Sequence, residues 1–228
     1  MDEDEAASIA ILDNDDLTLA ALRTWLRNNL LGAEVAWTTD DAGRAASAAL
    51  SDRTRPDILI TDMSLNGLSG EWVIRSIRER TAKTPILAIT SFPLEVYAES
   101  AARAGAQGII AKRDLNAICN AISVVLQNRP WTHGVESDVA ELFLPATEAH
   151  RRAMHGDEGR KPRLTEREEA VIGLFTRGLT SKQVADHLGL TENTVKTYSH
   201  RIFAKLGASN RGQAIAIWMA DGTSGNNA

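Results

Sequence analysis

Among the 228 residues there is one cysteine. A single thiol excludes an intramolecular disulfide framework, and Cys119, set among Ile118, Ile122 and Val125, is expected as a buried core thiol. The five histidines are scattered without ligand spacing, which argues against a structural metal site. No apolar run reaches the length of a membrane span, and Met1-Asp2-Glu3-Asp4-Glu5 is acidic, unlike the basic start of a signal peptide. A soluble, cytoplasmic protein with no membrane partner is expected. There is also no internal repeat and no long low-complexity segment.

The charge is present but uneven. The net charge is −5, yet residues 1–128 hold 12 Lys/Arg against 18 Asp/Glu, and residues 163–220 hold 8 against 5. An acidic front and a basic back point to two domains with different partners, the back one polyanionic.

The back segment is punctuated as four helices. Thr165-Glu166-Arg167-Glu168 and Thr180-Ser181-Lys182-Gln183 are capping boxes, in which a threonine hydroxyl and an acidic or amide side chain satisfy free N–H groups reciprocally. Val171, Leu174 and Phe175 point inward from the first helix, and Val184, Ala185 and Leu188 from the second. Gly178 and Gly189 end them. One residue after Gly189, Thr191 reads as the cap of a third helix, with Gly207 as its stop. Val195, Tyr198, Ile202 and Leu206 make one apolar stripe. At roughly 100° per residue, Asn193, Thr197, His200 and Ala204 fall opposite, flanked by Lys196 and Arg201. Alone, such a face fits an ordinary solvated helix equally well. The tight turn between two capped helices makes it helix-turn-helix geometry. Ser209 to Met219 reads as a closing helix with surplus apolar surface.

Residues 164–219 resemble the LuxR-type helix-turn-helix, through Leu164-Thr165-x-Arg167-Glu168, Gly178-Leu179-Thr180, Thr194-Val195-Lys196-Thr197 and Lys205-Leu206-Gly207. The resemblance implies a third helix in the major groove of promoter DNA, and it places Lys182, Asn193, Thr194, Lys196, Thr197, His200 and Arg201 on the nucleic acid. It also implies a homodimer through the fourth helix, with Ala214, Ile217 and Trp218 at the contact. A core position for Trp218 is an alternative.

In the front part, Ser8–Asp13, Glu34–Thr38, Asp57–Thr61, Pro85–Thr90 and Gln107–Ala111 are short apolar runs of the kind found in buried parallel strands. Helical patterns alternate with them over Leu17–Leu31, Asp41–Leu50, Glu71–Arg80, Leu94–Ala104 and Leu115–Asn128. Five βα units imply an α/β fold, a (βα)5 doubly wound parallel sheet, with ligands at the carboxyl ends of the strands. Asp13, Asp62, Thr90 with Ser91, and Lys112 stand at four of those ends. Carboxylates, a hydroxyl and an ammonium on one rim suit a hard divalent cation and a phosphoryl group, although polar loops or a small α/β enzyme site read the same at this level.

Residues 8–128 are similar to the receiver domain of two-component response regulators. The matching stretches are Ile9 to Asp13, Pro56 to Asp62, Gly67 with Gly70, Thr90, and Gly105-Ala106 to Lys112. A receiver followed by a LuxR-type helix-turn-helix is the NarL/FixJ layout. The resemblance implies that Asp62 is phosphorylated by a sensor histidine kinase, that Asp13, Asp62 and the position of Asn14 hold Mg²⁺, and that Thr90 and Lys112 form the phosphoryl switch. Three positions depart from the pattern. Asn14 replaces the second acidic residue, Asn66 the usual proline, and Ile109 the usual switch aromatic. With Asn14 neutral, Mg²⁺ is expected to bind weakly, Asp62 to label slowly, and the unmodified protein to keep some DNA binding.

The expected organisation is a receiver domain at 1–129, a linker at 130–161 in which Asp138–Leu144 suits one short amphipathic helix, an all-α four-helix helix-turn-helix domain at 162–222, and a disordered tail at 223–228. The expected function is a non-enzymatic DNA-binding transcriptional regulator in which phosphorylation of Asp62 controls dimerisation and promoter binding. A receiver that controls DNA binding through a protein partner, without phosphorylation, is the alternative.

Overall fold

A computed structural model of the chain describes residues 6–65, 68–155, 164–206, 208 and 210–223. Within it the chain divides into two compact units, 1–157 and 158–228.

The first unit is a five-stranded parallel sheet in the order β2-β1-β3-β4-β5, from β1 (Ala7–Leu12), β2 (Ala33–Thr39), β3 (Ile58–Asp62), β4 (Ile86–Thr90) and β5 (Gly108–Ala111). Each expected strand is present. The central strands β3 and β4 are buried along their whole length, as continuous apolar runs require when helices cover both faces. The helices are α1 (Asp16–Asn29), α2 (Ala42–Leu50), α3 (Gly70–Arg78), α4 (Leu94–Ala104) and α5 (Leu115–Leu126). Asp15, Asp41, Ser69 and Asp114 cap four of them by accepting a backbone N–H. One core cluster joins Ile9, Ile11, Ile58, Ile60, Leu87 and Ile89 of the sheet to Leu22 and Leu26 of α1 and Ile118, Ile122 and Val125 of α5. Cys119 is half-buried beside this cluster rather than within it, because it lies beside the inward stripe of α5 rather than on it.

The segment expected as a linker is folded onto this unit as far as residue 155. Trp131 bridges in parallel to Gly108 on the edge strand β5, and its N–H donates to the carbonyl of Gln107 at 2.8 Å. A Cβ on Gly108 would lie 2.7 Å from the carbonyl oxygen of Trp131, so only glycine lets the two backbones meet there. Then come α6 (Ser137–Ala140) and α7 (Ala146–His155), which pack against α4 and α3 respectively. Phe143, Ala146 and Ala149 are buried. The rest of the attachment is polar. Leu144 offers its carbonyl to Gln107 Nε2 at 3.2 Å, Ala146 N donates to Asn128 Oδ1 at 3.1 Å, His150 Nδ1 lies 2.6 Å from the Arg78 carbonyl, and Arg152 donates to the carbonyls of Leu142 and Ala102. Sequence periodicity misses such a strap because its inward face on α7 is two alanines, with polar side chains holding the rest.

Beneath the strap Arg78 is fully buried. Its guanidinium donates to the carbonyls of Gly105, Thr81 and Thr84 and to Gln107 Oε1, all at 2.9–3.0 Å. Burial pushes its pKa down to about 10, which still leaves the group charged at neutral pH, held by oxygen dipoles.

The second unit has four helices, α8 (Glu166–Thr176), α9 (Ser181–Leu188), α10 (Glu192–Leu206) and α11 (Arg211–Thr223). Both capping boxes form as expected. Val171, Leu174, Phe175, Val184, Ala185, Val195, Tyr198 and Ile202 are all buried, and Ala214 of α11 joins them. Gly207 and the tail beyond 223 lie outside the described residues. Among the described residues no helix is long and apolar enough to cross a membrane.

Candidate functional site

The carboxyl ends of β1, β3 and β4 bring buried Asp13, Asp62 and Thr90 to one rim, and Lys112 follows β5. The Lys112 ammonium lies 2.6 Å from Asp13 Oδ2 and 3.1 Å from Asp62 Oδ2, so one cation spans two carboxylates. Its backbone N–H donates to the Thr90 carbonyl at 2.9 Å. The Thr90 hydroxyl accepts the N–H of Phe92 at 3.1 Å. Asp13 also accepts the Asp15 N–H at 3.0 Å. Burial raises the Asp13 carboxyl above its ordinary value; the Lys112 hydrogen bond pulls it back, and the negative charge of Asp62 adds to the rise. A Cβ at Gly70 would sit 2.1 Å from the Asp62 carbonyl oxygen, so glycine allows α3 to start directly beneath the site.

Ser64 was not singled out by sequence, and its hydroxyl lies 3.2 and 3.1 Å from the two carboxylate oxygens of Asp62. Its position two residues after Asp62 was the signal to be read. Asn14 is exposed. Asp15 accepts the hydroxyl of Thr18 and the N–H of Leu17, and those bonds, the first above all, hold its carboxyl below the usual range. The helix cap therefore occupies the carboxylate nearest in sequence. Asn66 lies outside the described residues.

On the second unit, Lys182, Asn193 and Lys196 are exposed and Thr197 is partly so. Lys196 Nζ meets Glu192 at 3.0 Å, one turn away. Such a surface pair is worth about 0–1 kcal/mol and exchanges readily for a phosphate. Thr197 gives its hydroxyl to the Asn193 carbonyl at 3.0 Å. Two expected DNA contacts also make contacts within the domain. Thr194 is 3% exposed, its hydroxyl 2.8 Å from that of Thr191 inside the helix cap. Arg201 is largely buried, with Nε 3.5 Å from Glu168. Glu168 is itself fully buried: Lys205 Nζ lies 2.8 Å from it, and it accepts the Thr165 N–H at 2.8 Å. Beyond its place in a capping box, this carboxylate ties α8 to α10 with two cations, drawing Arg201 away from the outer face. The side chain of His200 lies outside the described residues.

On α11, Ala214, expected at the dimer contact, is 1% exposed and packs into the core of the unit. Ile217 and Trp218 are half-buried. The indole of Trp218 lies over Gly173 of α8, 3.9 Å from where a Cβ would stand.

Residues 9–123 match the family described as response regulator receiver domain, and residues 162–218 match bacterial regulatory proteins of the luxR family. The DNA-binding transcriptional activator DevR/DosR of Mycobacterium tuberculosis is 32% identical over 83% of this chain and 85% of its own. The Fimbriae Z protein of Salmonella typhimurium is 31% identical over 88% and 90%. The chain is a response regulator of the NarL/FixJ type. Among solved structures, a LuxR-family two-component response regulator from Aurantimonas sp. SI85-9A1 is similar at 28% identity, with a TM-score of 0.52 over 63% of this chain and 97% of that one. A complex of the response regulator RcsB with DNA has the same fold at 18% identity, with a TM-score of 0.54 over 94% and 98%.

The two domains make this response regulator a phosphorylation-regulated transcriptional regulator. Its relatives are transcriptional regulators too. Receiver domains generally bind Mg²⁺ at the acidic phosphorylation site. Asp13 and Asp62 offer the hard oxygen donors that such a cation takes. Asn14, next to Asp13, is neutral and exposed, and among the described residues no group of three or more His, Cys, Asp or Glu is placed to hold a metal.

Proposed function

We propose that Asp62 is the phosphoacceptor of a cytoplasmic regulator, that a sensor histidine kinase supplies the phosphoryl group, and that the modified protein binds promoter DNA as a homodimer. The observation that carries the reading is the Lys112 ammonium spanning Asp13 and Asp62 on the rim that also holds Thr90.

An Asp62 oxygen attacks the donor phosphorus; a P–O bond forms, the donor's P–N bond breaks, and the departing imidazole keeps the electron pair and takes a proton from solvent. Lys112, already on Asp62 Oδ2, offsets charge on the phosphoryl oxygens, and Asp13 holds that ammonium in place. Ser64 must release the carboxylate oxygen that attacks. The Thr90 hydroxyl, buried at the end of β4, has a proton to donate to the new group. Mg²⁺ held by Asp13 and Asp62 would supply further shielding. Without a third carboxylate at position 14, uptake is weak and labelling slow.

Lys182, Asn193, Lys196, Thr197 and His200 form the outer DNA-reading set, with Thr194 and Arg201, both tied into the domain, behind them. Ile217 and Trp218, half-buried beside the 56%-exposed Met219, support α11 as the dimer surface; RcsB, of the same fold, is found as dimers on DNA.

The test is incubation of the full chain with acetyl phosphate and Mg²⁺, followed by mass mapping of the acid- and base-labile adduct. Label is expected on Asp62, slowly, faster in Asn14→Asp and absent in Asp62→Asn. Label elsewhere, or promoter binding in living cells indifferent to Asp62→Asn, would assign control to a protein partner instead.

A further inference from the structure

The position on β5 where receivers usually carry a switch aromatic is Ile109, fully buried and paired in register with Ala88. Two aromatic rings stand instead where β4 passes into α4, Phe92 on the turn and Tyr97 in the first turn of the helix. Phe92 follows Thr90 by two residues, and its ring meets that of Tyr97 edge-on, with centroids 5.9 Å apart and planes at 64°. Tyr97 is 4% exposed. We propose that Phe92 and Tyr97 are the positioning pair through which Thr90 moves α4, and through α4 the strap at 129–155. The inference rests on the reading of Asp62 as phosphoacceptor.

Three observations connect the chain of contacts. The Thr90 hydroxyl already accepts the Phe92 N–H. If that oxygen moves toward a phosphoryl group, residue 92 must follow or its part-buried N–H loses its acceptor. Next, α4 is lightly fastened. Apart from Val96 and Tyr97, its buried apolar side chains are all alanine: Ala98, Ala101, Ala102 and Ala104. Tyr97 is therefore its largest anchor, and its buried ring meets the part-buried Phe92, so a displacement at residue 92 is felt at Tyr97. Last, the far end of the helix carries the strap, because the Ala102 carbonyl accepts Arg152 of α7 and α6 packs along α4. The chain leaves the first unit from the end of α7. Ile109 has no comparable lever, being aliphatic and within the sheet.

Hydrogen exchange on the full chain, with and without acetyl phosphate, tests this while mass mapping follows the label. In the wild type, labelling should speed exchange across 94–104 and 141–155. Phe92→Leu and Tyr97→Leu should take label at the wild-type rate yet lose the response at 141–155. Tyr97→Phe should keep it, and so should Ile109→Leu. A full response in both leucine variants, or its loss in Ile109→Leu, overturns the proposal. The unlabelled arm separates this from the assignment of Asp62. Thr90→Ala removes the acceptor of one hydrogen bond, so exchange at the Phe92 amide should quicken about five- to tenfold, with α4 following. No change in α4 from Thr90→Ala overturns the pair even if Asp62 takes no label, whereas a quickened α4 with no label overturns only Asp62.

Discussion

Asp13 is held at a disadvantage for the sake of its neighbours. Burial, with Asp62 close by, raises its pKa, so the folded state binds its proton more tightly than the unfolded chain does. The sign follows. A carboxyl with a raised folded pKa makes stability fall as pH climbs from the unfolded value of 3.8 through the folded one, and the ionised group opposes folding above that window. Asp13→Asn, which removes the charge and keeps the shape, should therefore stabilise the receiver at neutral pH by about 0.5–2 kcal/mol, the usual yield of relieving a functional site. The gain should shrink toward pH 4. Urea melts of both proteins across pH 4–7 check this, and a variant less stable at pH 7 would mean that the Lys112 contact outweighs burial. Beside it, Ser64 places one hydroxyl within hydrogen-bond reach of both carboxylate oxygens of Asp62.

At the level of the helix, Glu168 decides which cations of α10 face outward. It is fully buried with Lys205 and Arg201 as partners, so Glu168→Gln should destabilise the DNA-binding domain by about 3–5 kcal/mol, as breaking a buried pair does. Lys196→Ala should leave its melting unchanged and weaken specific DNA binding by about 1–3 kcal/mol, or lower the salt slope by about one if the contact is only to phosphate. Thermal melts and titrations at several salt concentrations distinguish the two variants. What could be read from sequence divides along the same line. Capping boxes, strand runs and the Val195–Tyr198–Ile202 stripe are local patterns, and they were legible. So was the rim of Asp13, Asp62, Thr90 and Lys112, because parallel strands end on one side. The contact of Arg201 with Glu168 was not legible, because a helical wheel gives the side a residue leaves from, not where a long side chain goes, and the partner lies 33 positions earlier. Nor was the burial of Thr194, whose short hydroxyl stays within the cap. The strap was missed because alanines and backbone carbonyls carry its docking, and neither has a periodic signature.

Taken whole, the protein is two units, and the first ends past residue 155 rather than at 129. The strap lies against one of the sheet's two edge strands. An edge strand without a cover is a template: its free N–H and C=O groups will pair with any extended chain that arrives. A fragment cut at residue 129 would therefore present Gly108–Ala111 as an open border, with no side chain on Gly108 to keep strangers off. It would also lose the burial of Phe143, worth about 1.5–3 kcal/mol. Residues 1–155 should stay monomeric and melt as one unit, whereas residues 1–129 should melt earlier and self-associate with concentration. Sedimentation of the two fragments side by side reads the difference. Where a protease or a cloning primer divides this chain thus settles whether the receiver behaves as a solute or as the seed of a precipitate.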